Sequence, residues 1–309
     1  MPFDLHGKSR PPCSLLCSSK LGRLAIDNYL SSHYDLESAD IVSVMDELSL
    51  WSAPFGLRLL DTVHYTRGIK ALDIGSGPGF PLVELAMRLG STSEVFGIDP
   101  WKAGIERTKR KIETYGLTNV KVVEGRGEHL PFTNGFFDLI VSNNGINNVK
   151  DIEKTLSEIS RVAKIGAQFV FTFNTDQTFI QFYRVYRETL SELGLPEYNK
   201  QLLDHIFEKR KPVAFMEQLL TKYGFRVNST RDDLFHYVFT DGTAMLNHFF
   251  IKLAFLDPWR NIVPPEQREK VFRSIERKLN DLSREFGELR MQVPFVTFDC
   301  EREVILPVV

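Results

Sequence analysis

"KALDIGSGPGFPLVELAMRLG", residues 70–90, sets Gly75, Gly77 and Gly79 at every second position between an apolar, strand-like run and an amphipathic, helix-like run. A turn this rich in glycine lets backbone come close to a ligand. Working outward, strands and helices alternate strictly from Ile69 to Asn174: "IKALDIG", a helix from Phe80, "EVFGID", a helix from Lys102, "NVKVVEG", "FFDLIVSN", a helix capped by Asp151, then "AQFVFTFN". Short, buried, β-branched strands in that alternation predict an α/β fold with a Rossmann-like, doubly wound, mostly parallel sheet. Its ligands lie at the carboxyl ends of the strands, where strand order reverses.

The flanks read differently. Residues 1–65 divide into an arm with Pro2, Pro11 and Pro12 and a helical preface made of "LGRLAIDNYL", "ADIVSVMDELSL" and "SAPFGLRLLDTV", where Ser52 is placed to cap and Pro54 sits in the first turn. Residues 66–175 form the ligand-binding core. In residues 176–309, "TFIQFYRVYRETLSEL" and "VAFMEQLLTKYG" read as helices and "FRVNSTRDDLFHYVF" as a strand. After them "TAMLNHFFIKLAFL" and "PEQREKVFRSIERKLNDLSREFG" read as helices, and "ELRMQVPFVTFD" closes as a strand, the seventh. The last helix carries Val271, Phe272, Ile275, Leu279, Leu282 and Phe286 as one apolar stripe.

Composition narrows the function. A formal charge of −2 gives no global attraction to a phosphate backbone, so nucleic acid is disfavoured as a partner. Cys13, Cys17 and Cys300 are too few and too odd in number for a disulfide framework, and the Cys13/Cys17 pair lacks a second pair to complete a metal site, so no metal is expected. The N-terminus lacks an apolar core of signal-peptide length, and Asn247, His248 and Lys252 interrupt the longest near-apolar run. A cytoplasmic enzyme with no membrane segment is the expectation.

The spacing of the glycines bears on the ligand. A dinucleotide fingerprint requires glycine three residues after the second, and that position is Phe80. A ligand without a pyrophosphate needs instead an acid for its ribose. Asp99, at the end of "VFGID" and twenty residues beyond Gly79, is placed to accept both ribose hydroxyls. Asp73, ending the first strand, is a second acid that would repel a pyrophosphate and attract an ammonium.

With "VVEGRGEHLPFTNGFFDLIVSNNGINNVKDIEKTLSEISRVAKIGAQFVFTF" following "ALDIGSGPG" and "VFGIDP", the chain resembles the class I S-adenosylmethionine-dependent methyltransferases, nearest to the branch with ubiquinone and menaquinone C-methyltransferases. The likeness covers roughly residues 55–175. It implies a seven-stranded sheet with the last strand antiparallel, S-adenosylmethionine as cofactor and S-adenosylhomocysteine as product. It implies that Asp73, Gly75, Ser76 and Gly77 surround the methionine part, Gly79 completing the turn, that Asp99 holds the ribose, and that Pro100 and Trp101 lie near adenine. Family members usually place an acid and a small residue where "GRGEHLPF" has Arg126 and Gly127. Arginine accepts no hydrogen bond, so the adenine amino group falls to Glu128 or to backbone of Gly127 and Glu128.

The methyl acceptor is read as a small, partly apolar molecule methylated at O, N or C; the alternative is a cofactor-binding protein without turnover. In "SNNGINN", Asn143 is best placed to touch cofactor or acceptor, ahead of Asn144, Asn147 and Asn148. The flanks offer Tyr29, His33, Tyr34, Trp51, Tyr183, His205, His236, Tyr237, His248 and Trp259. His248 stands out, with Lys252 one helical turn later in an apolar run. Residues 175–211 and 240–289, helical and phenylalanine-rich, would form either a lid over the acceptor or the interface of a homodimer.

Overall fold

The computed structural model describes residues 28–47 and 50–303. Residues 1–32 and 33–309 are separate compact units. Of the first, one helical turn is described, α1 (Asn28–Ser31), which holds Tyr29; Cys13 and Cys17 lie outside the described residues.

The second unit is built on strands β1 (Lys70–Ile74), β2 (Glu94–Asp99), β3 (Val120–Glu124), β4 (Phe137–Asn143), β5 (Ala163–Asn174), β6 (Phe225–Phe239) and β7 (Leu289–Arg302). They form one sheet in the order β3-β2-β1-β4-β5-β7-β6, parallel except that β7 runs antiparallel to both its neighbours. The expected Rossmann-like α/β sheet, with its antiparallel last strand, is present.

Why the sheet is buried on both sides follows from the period of two along each strand. Leu72, Ile74, Ile98, Ile140 and Phe171 join one core, against α6 (Ile152–Val162) and α9 (Val213–Lys222). Ala71, Val95, Leu139, Val141 and Val170 join the other, against α3 (Ser52–Thr62) and α4 (Leu82–Leu89). With apolar side chains on both faces, the strands cannot sit at a surface, and helices must cover each side. Strand order reverses between β1 and β4, so the glycine turn after β1 faces the asparagine-rich loop after β4 across one crevice.

The preface packs at this crevice. α2 (Ala39–Glu47) is tied to α5 (Lys102–Thr114) by Asp46, which takes the Arg107 Nε at 2.8 Å and also pairs with Lys111. The N-cap of α3 is Trp51 and not the expected Ser52, which is already helical; the carbonyl of Ser52 instead accepts from the Asn143 side chain. Asp151 caps α6 as expected, its Oδ1 accepting the Lys154 N–H at 2.9 Å.

Beyond β5 come α7 (Ile180–Glu192), α8 (Asn199–Lys209), α10 (Gly242–Asn247), α11 (Phe249–Ile251), α12 (Asp257–Arg260) and α13 (Pro265–Phe286). α8 falls within residues 175–211, expected to be helical, although its exposed Leu203 and Phe207 blur an apolar stripe. The run 244–256 is not one helix. His248 takes an extended conformation (φ −61°, ψ 132°) between α10 and α11, and Lys252–Leu256 continue as a π-helical turn. In α13, Val271, Phe272, Ile275 and Leu279 are fully buried, but Phe286 is exposed: the helix ends past the edge of the core, at left-handed Gly287. Among the described residues no helix is long and apolar enough to cross a membrane.

Candidate active site

The turn after β1 is held in shape by glycine and by Asp99. Gly77 has φ +50°, a conformation costly for other residues, and a side chain there would meet nothing within 4 Å, so this backbone faces open space. At Gly75, by contrast, an added Cβ would lie 3.0 Å from the Cα of Gly145, so the loops after β1 and β4 touch glycine to glycine.

Asp99 accepts the Gly77 N–H on Oδ2 and the Trp101 N–H on Oδ1, each at 2.8 Å. Each oxygen keeps capacity for a second donor. Burial pushes its pKa up, while these two N–H groups pull it down; the net shift is upward. Asp99 lines a cavity of about 230 Å³ together with Gly75, Pro100, Arg126, Gly127 and Glu128. Glu128 already accepts the N–H groups of Lys150 (2.8 Å) and Asp151 (3.3 Å). Burial raises its pKa, but backbone hydrogen bonds and the Arg126 charge outweigh that and lower it. Trp101 is not among the residues lining this cavity: its indole N–H donates to the Leu36 carbonyl at 2.8 Å and its ring packs on Gly104.

Asp73 is fully buried at the end of β1, and neither carboxylate oxygen has a hydrogen-bond partner; nor does the hydroxyl of buried Ser76. Burial, then the neighbouring Asp99 charge, raise the Asp73 pKa to about 8. Buried polar atoms are nearly always paired, so orphaned ones beside an open glycine turn mark a place for a polar ligand. They fit the ammonium and carboxylate of an amino acid moiety.

Ser76 and Gly77 also line a second cavity, of about 150 Å³, with Asp46, Trp51, Phe80, Asn143 and Phe250. Asn143 is held from both ends: its Nδ2 donates to the Ser52 carbonyl at 3.1 Å and its Oδ1 accepts the Thr172 hydroxyl at 3.2 Å. Trp51 and Phe250 are shared with a third cavity, of about 350 Å³, between the asparagine loop and the C-terminal helices. Asn144, Asn147, Asn148 and Asn174 line one side, Phe255 and Pro258 another, and His205 and Arg210 a third. Asn144 adopts φ +57°, and its Oδ1 gathers the Asn147 side chain (2.9 Å) and the Asn174 N–H (3.2 Å).

The acceptor candidates scatter. Trp51 is at the centre, touching the rings of Phe55, Phe179, Phe235, Tyr237, Phe250 and Phe255. Tyr183 and Trp259 stand behind the third cavity: the Tyr183 hydroxyl receives the Trp259 indole N–H at 3.0 Å and lies 3.3 Å from His205 Nε2. Tyr237 is half-buried against the aromatic cluster, His236 and His33 are exposed, and Tyr34 packs edge-on against Phe249. Gly79 packs against Thr108.

His248 does not reach either the second or the third cavity. It packs edge-on against Tyr237 and Phe239, its Nδ1 buried without a partner and its pKa lowered by burial, and the Lys252 ammonium lies over the Tyr34 ring instead. The reason is the break at residue 248, which turns Phe250, Ala254 and Phe255 inward in place of His248 and Lys252. Arg210, Asn174, Asp46 and Phe250 line these cavities, and sequence reasoning did not single them out. Arg210 sits in "FEKRKP", where a run of charges reads as a solvated surface.

Residues 65–218 match the family model described as a methyltransferase domain. The demethylmenaquinone methyltransferase of Geobacillus sp. (strain WCH70) is 32% identical over 124 residues, 40% of this chain and 53% of that protein. That of Staphylococcus aureus (strain MRSA252) is 35% identical over 129 residues, 42% of this chain and 53% of its own. The chain belongs to the class I S-adenosylmethionine-dependent methyltransferases. It spans about half the length of these relatives. The YcgJ protein of Bacillus subtilis has a similar fold, with a TM-score of 0.52 at 15% identity over 81% of this chain and 98% of that one.

Proposed function

We propose that the chain is an enzyme that moves the methyl group of S-adenosylmethionine to a small, partly apolar organic acceptor. The observation that carries this reading is the orphaned pair Asp73 and Ser76 in a glycine turn, one aromatic wall away from a separate cavity. Asp73 would meet the ammonium of the methionine part, Gly75, Ser76, Gly77 and Gly79 its backbone-lined bed, and Asp99 the ribose through its spare lone pairs. Pro100, Gly127 and Glu128 would face the adenine. Glu128, already accepting two N–H groups, has one further oxygen for an amino group; Arg126 has none to give.

S-adenosylmethionine, when bound, supplies a methyl group already activated on a sulfonium. What remains for the chain is to orient an acceptor and keep water out, which can provide much of the catalysis. Asn143, fixed at both ends by Ser52 and Thr172, is a rigid polar group at the methionine end of the site. Trp51 and Phe250 belong to both the methionine-end and the acceptor cavities, so they are the wall that an acceptor would press against. The segment 249–258 acts as the lid through Phe250, Ala254, Phe255 and Pro258.

Calorimetric titration with S-adenosylhomocysteine tests the cofactor, with a dissociation constant in the micromolar range expected; no affinity at millimolar concentration removes the assignment. Transfer of a labelled methyl into a metabolite extract then separates turnover from mere binding.

A further inference from the structure

Arg210 is 4% exposed, yet no carboxylate pairs with it among the described residues. Its Nη1 donates to the Tyr183 hydroxyl at 3.1 Å, its Nε has no partner, and its guanidinium lies 5.9 Å from the ring centres of Tyr183 and Phe255. A buried cation without a counter-ion is costly, and removing one member of a buried pair is among the most damaging changes a protein can suffer. Arg210 follows the last turn of α8, but a helix end carries only about half an elementary charge, too little to neutralise it. The acceptor cavity it lines holds no acidic side chain.

We propose that the missing counter-ion is the acceptor itself: a small apolar or aromatic acid whose carboxylate is received by Arg210. This rests on the methyl-transfer reading of the same site. A guanidinium presents its donors in a planar fork that matches a carboxylate, and here Nε is the donor left free. The charge balance favours a monoanion, because the second cation of the cavity, Lys209, is exposed and already near Glu208 at 3.6 Å. A buried phosphate dianion would leave one charge uncompensated. Phe255 and Pro258 supply apolar wall for the body of the acid, and Asn147 and Asn148 lie on the opposite side.

The test titrates the full chain, with and without saturating S-adenosylhomocysteine, using benzoate, its neutral isostere benzamide, and inorganic phosphate. Benzoate is expected to bind at least tenfold more tightly than benzamide or phosphate, and Arg210→Gln to erase that preference while Arg210→Lys keeps part of it. In the unaltered chain, His205 gives a second readout. Burial, then the charges of Arg210 and Lys209, hold its pKa down to about 4, and benzoate should move its nuclear-magnetic-resonance titration upward as the Arg210 charge is neutralised. Benzamide binding as well as benzoate, no benzoate binding at millimolar concentration, or an unmoved His205 titration overturns the proposal; phosphate binding more tightly overturns the carboxylate in favour of a phosphoryl group. Benzoate discrimination without any affinity for S-adenosylhomocysteine would sink the methyl-transfer reading and leave the anion site standing.

Discussion

Asp99 and Asp73 divide the work at the residue scale. Asp99 shapes the glycine turn through the Gly77 and Trp101 N–H groups and has oxygen capacity to spare. Asp99→Ala is expected to weaken S-adenosylhomocysteine binding at least tenfold, since charged hydrogen bonds to a ribose are worth roughly 1.5–3 kcal/mol; calorimetry giving an unchanged constant would refute the role. Asp73 leaves a pH signature in the ligand-free protein. Its carboxyl is raised to about 8, well above its unfolded value, so between those two values the folded chain binds more protons than the unfolded one. The stability this confers is complete below the unfolded pKa and drains away as pH climbs through the folded one. Asparagine cannot titrate, so the melting temperature of the wild type should fall relative to that of Asp73→Asn between pH 5 and 8. Parallel melting curves would show that Asp73 is ionised throughout. Both acids were legible in the sequence, because each ends a recognisable strand at a fixed distance from the glycines; Arg210 was not, because burial of one arginine in a charged run is decided by helices distant in sequence.

The approach of α3 to the glycine turn is decided at the scale of elements by a residue without a side chain. An added Cβ at Gly56 would run into the Phe80 ring and come 3.1 Å from Asn143 Nδ2. In an open helix, Gly→Ala would gain up to about 1 kcal/mol. Here overpacking should win, with a net destabilisation of about 1–2 kcal/mol and weaker S-adenosylhomocysteine binding, because Phe80 belongs to the cofactor turn. Urea denaturation of Gly56→Ala measures it, and a midpoint at or above the wild type would mean that the ring swings aside freely. The helix break at His248 belongs to the same scale. The periodicity of "TAMLNHFFIKLAFL" suits a continuous helix, but Asp241 caps α10 and a second segment restarts at Phe249, changing which residues face inward.

The whole molecule joins elements distant in sequence around one crevice. α2 is tied to α5 by Asp46, α3 to β4 by Asn143 and Ser52, and the segment 249–258 to α3 by the Trp51 rings. Filling the methionine end should therefore slow amide exchange at once in α2, in α3 and in the turns after β1 and β2, as well as raise the melting temperature. Hydrogen exchange with and without S-adenosylhomocysteine checks this. Protection confined to residues 75–79 would mean that the preface takes no part in the site.

Local chemistry explains how much could be read from the sequence by itself. The alternation of short apolar strands with helices, the three glycines, and the acids ending β1 and β2 determined the sheet class, the crevice and the cofactor class, because each depends on residues within about thirty positions of one another. The cavity proposed for the acceptor was decided only by tertiary structure. Trp51, Asn174, Arg210 and Phe250 meet in one cavity although they come from four separate stretches of chain, and no period or spacing encodes that meeting. Their chemistry changes on meeting: a surface-like arginine becomes a buried cation without a counter-ion, because water is excluded by side chains that the local sequence around it does not contain.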